Sequence, residues 1–371
     1  MPDSKLTEFH KNSGATLVQA GGASAAEKFS SVEEEYAVAR RYAAFCDISH
    51  FGKLRISGKD AIDLLNRIST NDLTGMRPGM GKQTFLTTEK GRVVDLCTVY
   101  VQQDEILLMT SPTNSGNIKK WIEKFVIAED VKVENVTESF PMFLVAGPSS
   151  SDFLKQVVHS SHRTLLDLKK MPINNFIRTF IGSCQVFLSK TKLALDESFV
   201  ILVNRNDVET IRGALLDSSK IHGAVQAGLE TFEVLRVENG TPLYPSELNE
   251  NVNPLEVNNL EAVSFTKGCY VGQEVVTRLQ TYDKVRKRLV GLVTSTKVHA
   301  GSKVFDSKQS TTGEFEAGIG FITSAVKSPG LGREIALAYI SMQQVIPGTK
   351  YYVKVGGKNI EAELSTLPFL V

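Results

Sequence analysis

The chain has 371 residues, 42% of them apolar and 22% charged, which is enough for two or three compact units with a full core. Lys and Arg number 42 against 41 Asp and Glu, a formal charge of +1, so no overall field argues for a nucleic acid or an anionic membrane as partner. No stretch approaches the roughly 18 consecutive apolar residues of a membrane helix, and the first residues hold neither a signal-peptide core nor an Arg-rich transit pattern, so a soluble, cytoplasmic protein is expected.

Between Asp47 and Ser111 the pattern reads strand, helix, then paired strands. "FGKLRISG" alternates, and "GKDAIDLLNRIS" puts Ala61, Leu64, Leu65 and Ile68 on one helical face behind the start signals Ser57, Gly58 and Asp60. "KGRVVDLCTVYVQ" and "EILLMTS" read as neighbouring strands, and a helix with Ile118, Trp121, Ile122 and Phe125 at core spacing follows. A second strand-helix unit is predicted in "SFVILVNRNDVETIRGALLDSS", with an Asn206-Asp207 cap and Val208, Ile211 and Leu215 on one face. From about Lys284 onward, short strands alternate with glycine and proline turns, which predicts a small all-β domain after a linker near Tyr282 to Arg286. The fold class is therefore α+β.

Cys46, Cys97, Cys184 and Cys269 never form a C-x-x-C pair, so reduced thiols are expected and no metal site is predicted. His50 in "DISHF" reads as a structural histidine or one lining a pocket. Three features carry chemistry. In "SFTKGCYVGQE" an extended backbone would point Lys267 and Cys269 to one side, and a helix opening after Gly272 would join Lys267 in favouring thiolate. The plain alternative is a small residue in a glycine turn. Asp95 is a carboxylate inside an otherwise apolar strand, either solvated or retained for a function. Asp196 and Glu197 precede the apolar strand "SFVILV", where a carboxylate could accept paired N–H bonds from an aminopyrimidine ring or simply sit in a solvated turn.

"VNPLEVNNLEAVSFTKGCYVGQEVVTR" resembles the K-G-C-[YF]-x-G-Q-E signature of the YgfZ branch of the glycine-cleavage T-protein superfamily. "DISHFGKLRISGKDA", "FLVAGP", "LRVENGTPLYPSEL" and "GFITSAVKSPGLGREIALAYI" resemble further landmarks in the same order, so the likeness runs from about Val32 to the C-terminus. It implies two interleaved α/β subdomains forming a folate-binding, aminomethyltransferase-like region over residues 1–283, and a β-barrel over 284–371. It implies tetrahydrofolate as cofactor, with Asp196, Arg236, Tyr244 and Tyr270 at its site and Cys269, Lys267 and Asp95 in catalytic roles.

Two departures bear on activity. Where aminomethyltransferases resemble T-G-E-D-G-F-E, this chain reads "LALDESF", with Asp196 in the place of the pterin-clamping glutamate. Where they resemble G-G-x-x-D-D, it keeps Asp95 but has Leu96 as the second residue. If that second acid assists proton movement, aminomethyl transfer is absent or very slow. The leading expectation is a folate-binding protein of the YgfZ type that supports assembly or repair of iron–sulfur enzymes, with those client proteins as partners and no permanently bound cluster. A folate-dependent aminomethyl or methyl transferase and a non-catalytic folate sensor or scaffold are the alternatives.

Overall fold

The computed structural model describes residues 4–159, 167–306, 318–345 and 349–370. Ser307, the last residue of the predicted strand "GSKVFDS", lies outside them.

Two sheets are interleaved along the first part of the chain. The five-stranded sheet has the order Gly81–Thr87, Val93–Val101, Glu105–Pro112, Phe51–Ser57, Lys132–Asn135. The seven-stranded sheet takes Ala44–Asp47 from before that block and Met142–Ala146, Phe176–Ile181, Cys184–Thr191, Ser198–Val203 and Val225–Ala227 from after it, with Val158–His159 at one edge. All of its pairings are antiparallel except Ala44–Asp47 with Val225–Ala227. The strands Val93–Val101 and Glu105–Pro112 pair as expected.

Helical periodicity explains the outer layers. Ala61–Arg67 buries Ala61, Leu64 and Leu65, and Ser115–Glu123 buries Ile118, Trp121 and Ile122, all in one core with Leu54, Cys97 and Leu108. Val208–His222 covers the seven-stranded sheet through Val208, Ile211 and Leu215. Asp60 and Asp207 stand at the N-cap positions of the helices Ala61–Arg67 and Val208–His222 as predicted, but neither side chain makes a capping hydrogen bond. The Asp60 carboxylate instead accepts from Asp130 N at 2.8 Å, and Asn204 caps the preceding turn Arg205–Asp207 by accepting from Asn206 N. Val32–Arg41, absent from the predicted elements, starts with a capping box in which Ser31 and Glu34 exchange bonds, a S-x-x-E signal present in the sequence.

Six strands, Lys287–Thr294, Lys303–Asp306, Gly320–Ser328, Arg333–Ser341, Lys350–Val355 and Lys358–Ser365, close into a C-terminal barrel. Closure leaves no open sheet edge. The helix Leu229–Asn239 and the segment after it fill the space between barrel and five-stranded sheet, with Val237, Leu248, Val252 and Leu255 packing against Phe85, Val93, Leu289 and Leu337.

Candidate functional site

Asp95 is fully buried on the strand Val93–Val101, next to Cys97, which belongs to the helix-covered core. Its carboxylate accepts from Ser111 Oγ at 2.6 Å, Ser111 N at 3.0 Å, Asn114 Nδ2 at 3.1 Å and Leu96 N at 2.8 Å. Burial pushes its pKa up to about 6, against those four donors, which hold it down. The arrangement braces the strand end and the start of the helix Ser115–Glu123. Leu96 is turned differently. It is partly buried and packs, as Tyr244, Phe321 and Val326 do, against the core shared by sheet and barrel.

The segment 241–248 links this brace to the barrel. Tyr244 N donates to Ser111 Oγ at 3.4 Å, and the Glu247 carboxylate accepts from Leu243 N at 3.1 Å, Arg236 Nη1 at 3.1 Å and Ser324 Oγ at 2.7 Å. Arg236 is saturated. Nε donates to Glu233 at 2.7 Å, Nη1 to Glu247 and to Thr241 O at 3.2 Å, and Nη2 to Ser324 Oγ at 2.7 Å and to Glu233. Its five N–H groups are thereby used inside the protein, so a direct cofactor contact through them would require breaking one of these bonds. A parallel buried knot joins Tyr36, Arg40 and the barrel's Ser328 to Glu238.

Residues 264–272 form no strand, so the alternation that paired Lys267 with Cys269 does not apply. Lys267 Nζ donates instead to the carbonyls of Asn66, Ser69 and Asn71, at 2.6, 2.9 and 2.6 Å. Burial holds its pKa down to about 8, with Asp72 opposing and Lys82 adding to the shift. Cys269 is exposed, whereas Cys46, Cys97 and Cys184 are buried. Tyr270 is buried beneath Lys267, its ring centre 5.4 Å from Nζ, and desolvation pushes its pKa up to about 12. The helix expected after Gly272 is present at Gln273–Thr281.

Asp196 stands apart from both groups. Its side chain is 76% exposed, 3.4 Å from Lys192 Nζ, on a cleft of about 330 Å³ lined also by Arg40, Glu197, Asn239 and Leu370. A carboxylate so open to water lacks the desolvated setting in which a paired N–H clamp is strongest. A second cleft, about 430 Å³, lies between the two sheets, with Arg55, Glu105 and Leu107 on one side and Arg178, Phe187 and Leu202 on the other; no predicted site residue lines it. The structure thus brings together Asp95, Tyr244 and Arg236, groups Lys267, Cys269 and Tyr270 on a separate loop, and leaves Asp196 on a rim. His50 is partly buried beside Phe51, and desolvation lowers its pKa to about 4.

The cluster that sequence reasoning missed surrounds Lys53, which is fully buried and donates to Ser49 O at 2.8 Å; burial brings its pKa down to about 7. Asp47 nearby accepts from His10 Nε2 at 3.0 Å and from Ser49 Oγ at 2.5 Å. The only sequence signal was the short D-x-S spacing.

Comparison with known proteins adds three findings. The family described as the GCVT N-terminal domain matches residues 6–267, and the glycine cleavage T-protein C-terminal barrel domain matches 287–370. An aminomethyltransferase of Halalkalibacterium halodurans is 28% identical over 98% of this chain and 96% of its own, and a protein described as a putative chloroplastic transferase of Arabidopsis thaliana is 28% identical over 87% of this chain and 70% of its own. The crystal structure of aminomethyltransferase T from Bartonella henselae superposes with a TM-score of 0.85 at 20% identity, covering 98% of this chain and 97% of that one, which shows the fold.

Proposed function

Because the chain belongs to the glycine cleavage T-protein family, we propose that it binds tetrahydrofolate where sheet and barrel meet, and that it acts as a YgfZ-type protein supporting iron–sulfur enzymes. The observation that carries this reading is Leu96. It packs where Tyr244 and Phe321 are also only partly buried, and where Lys287 Nζ lies 5.4 Å from the Phe321 ring centre and 5.1 Å from that of Tyr339. An apolar face with aromatic edges and one cation suits a ligand that is a flat heterocycle joined to a glutamate. The same face presents a hydrocarbon where the transferase resemblance calls for a second acid, while the first acid, Asp95, is committed to four internal bonds. Cys269, exposed within K-G-C-Y-V-G-Q-E, supplies a nucleophilic group on the branch motif.

The second reading is aminomethyl transfer. It is favoured by likeness along nearly the whole chain to proteins named aminomethyltransferase. One experiment separates the two. Purified protein is titrated with tetrahydrofolate and assayed for one-carbon transfer from an aminomethyl donor, beside Leu96→Asp. The proposal expects folate binding, no turnover in the natural protein, and a gain in Leu96→Asp toward the factor of about 10² to 10⁴ that a positioned acid or base contributes. In cells, deletion should lower iron–sulfur enzyme activities and Cys269→Ala should fail to restore them. Robust turnover by the natural protein that survives Cys269→Ala gives the transferase reading the function.

A further inference from the structure

The helix Ala61–Arg67 ends against a turn, and carbonyls at such an end have lost their helical partners while carrying the negative pole of the helix. Asn66 lies in the helix's last turn, and Ser69 and Asn71 follow it. An ammonium has three donors and no acceptor, which suits three converging carbonyls. Lys267 supplies it, from about 200 residues further along the chain.

The loop that carries this lysine is sewn down at its ends. Ser264 N donates to Thr70 O at 2.9 Å, Val271 N to Arg67 O at 3.0 Å, and Thr87 Oγ1 to Val271 O at 2.6 Å. Between those stitches, Phe265, Thr266, Gly268 and Cys269 are exposed. Among the described residues, the hydrogen bonds from 265–270 to anything outside the loop and its following helix are the three from Lys267 Nζ.

We infer that Lys267 is a positioning residue: its ammonium, seated on the carbonyls of Asn66, Ser69 and Asn71, pins the bow of residues 265–270 and so fixes where Cys269 stands on the surface. Lys267 then acts on Cys269 through the backbone, as a structural pin rather than as a proton partner. The groups facing the ammonium are the Tyr270 ring, Asp72 and Lys82, whose own Nζ donates to Asp72 O at 2.7 Å. With that surrounding, Lys267 discharges near pH 8, and a neutral amine has one donor fewer and no charge to offer the carbonyls. The inference takes from the proposed function only the premise that Cys269 is the working group.

The test is amide hydrogen exchange on the full chain, read on peptides covering 264–272 and, as control, the barrel strand Arg333–Ser341. In Lys267→Ala, exchange of the hydrogen-bonded amides of Ser264, Lys267 and Val271 should rise about tenfold or more, as expected for losing charged hydrogen bonds, with the control unchanged. Propylammonium in the buffer should restore protection by refilling the carbonyl seat. Unchanged exchange in Lys267→Ala, or no recovery with propylammonium, overturns the inference. Should that variant not fold, the natural protein decides: after correction for intrinsic rates, loop protection should fall between pH 7 and 9.5 while the control holds, and a flat profile overturns the pin. Loop protection that behaves as expected in a protein that binds no folate would sink the proposed function and leave the pin standing.

Discussion

Around Arg236, donors and acceptors from the helix Leu229–Asn239, the segment 241–247 and the barrel strand Gly320–Ser328 meet and satisfy one another, whereas around Cys269 a single ammonium and the buried Tyr270 hold a bow that otherwise faces solvent. Both places are rich in polar residues that a sequence marks as interesting. The difference is valence. A buried group whose bonds are complete contributes to folding and has little left for a ligand, while a buried under-bonded group costs stability and an exposed one, bonded only by water, stays available.

Glu247→Ala removes the acceptor that holds Arg236, Leu243 N and Ser324 together, and leaves a buried guanidinium with Glu233 as its remaining carboxylate. Breaking one partner of a buried pair typically costs about 3–5 kcal/mol. Urea unfolding should show a loss in that range. If the loss were below about 1 kcal/mol, the junction would contribute no more than an exposed ion pair.

Lys53 lies between the two extremes, buried like Arg236 but with an Nζ that, among the hydrogen bonds of the described residues, donates only to Ser49 O. The folded protein gives up its proton near pH 7, while the unfolded chain keeps it to about 10.4. The unfolded state therefore binds more protons across that window, and the lysine makes stability rise with pH through it and lowers stability below it. Lys53→Met should flatten this rise and should be relatively more stable than the natural protein at pH 6 than at pH 9, as read from thermal midpoints at both values. An equal difference at the two pH values would show that Lys53 stays charged in the fold.

Asp95→Asn is the finer probe of saturation. All four bonds at this carboxylate are donated to it, so an amide must turn two N–H groups toward other donors. A loss of about 1–3 kcal/mol is expected. Retention of full stability would mean that Asp95 is protonated and weakly held, and so free to do chemistry.

How much of this was legible follows from sequence distance. Ile118, Trp121 and Ile122 announce their helix because burial repeats with the helical period, and the barrel announces itself through short strands and glycine turns. Asp95 could be flagged as a strand carboxylate, but its meaning depends on Ser111 and Asn114, 16 and 19 residues away. Nothing in the sequence around Arg236 shows that Glu247 and, 88 residues on, Ser324 use its donors. Lys267 stands two residues from Cys269 in sequence, while the carbonyls that its ammonium meets are 196 to 201 residues distant. The family motif could identify the loop, but not the direction in which its lysine points.

Asp196→Ala gives the smallest expected effect and tests the contrast from the exposed side. The carboxylate is in water, and its nearest cation, Lys192, is itself 58% exposed, so the pair contributes at most about 1 kcal/mol to stability. If tetrahydrofolate binds beside Leu96 and Tyr244, removing Asp196 should change its affinity by less than about fivefold, or 1 kcal/mol, in a direct titration. A loss of about 1.5–3 kcal/mol, the range for a charge-assisted hydrogen bond, would instead place the pterin in the cleft between Arg40 and Asn239. That outcome would also mean the cleft closes around the ligand, because an acid this exposed can hold a heterocycle tightly only once water has been excluded from it.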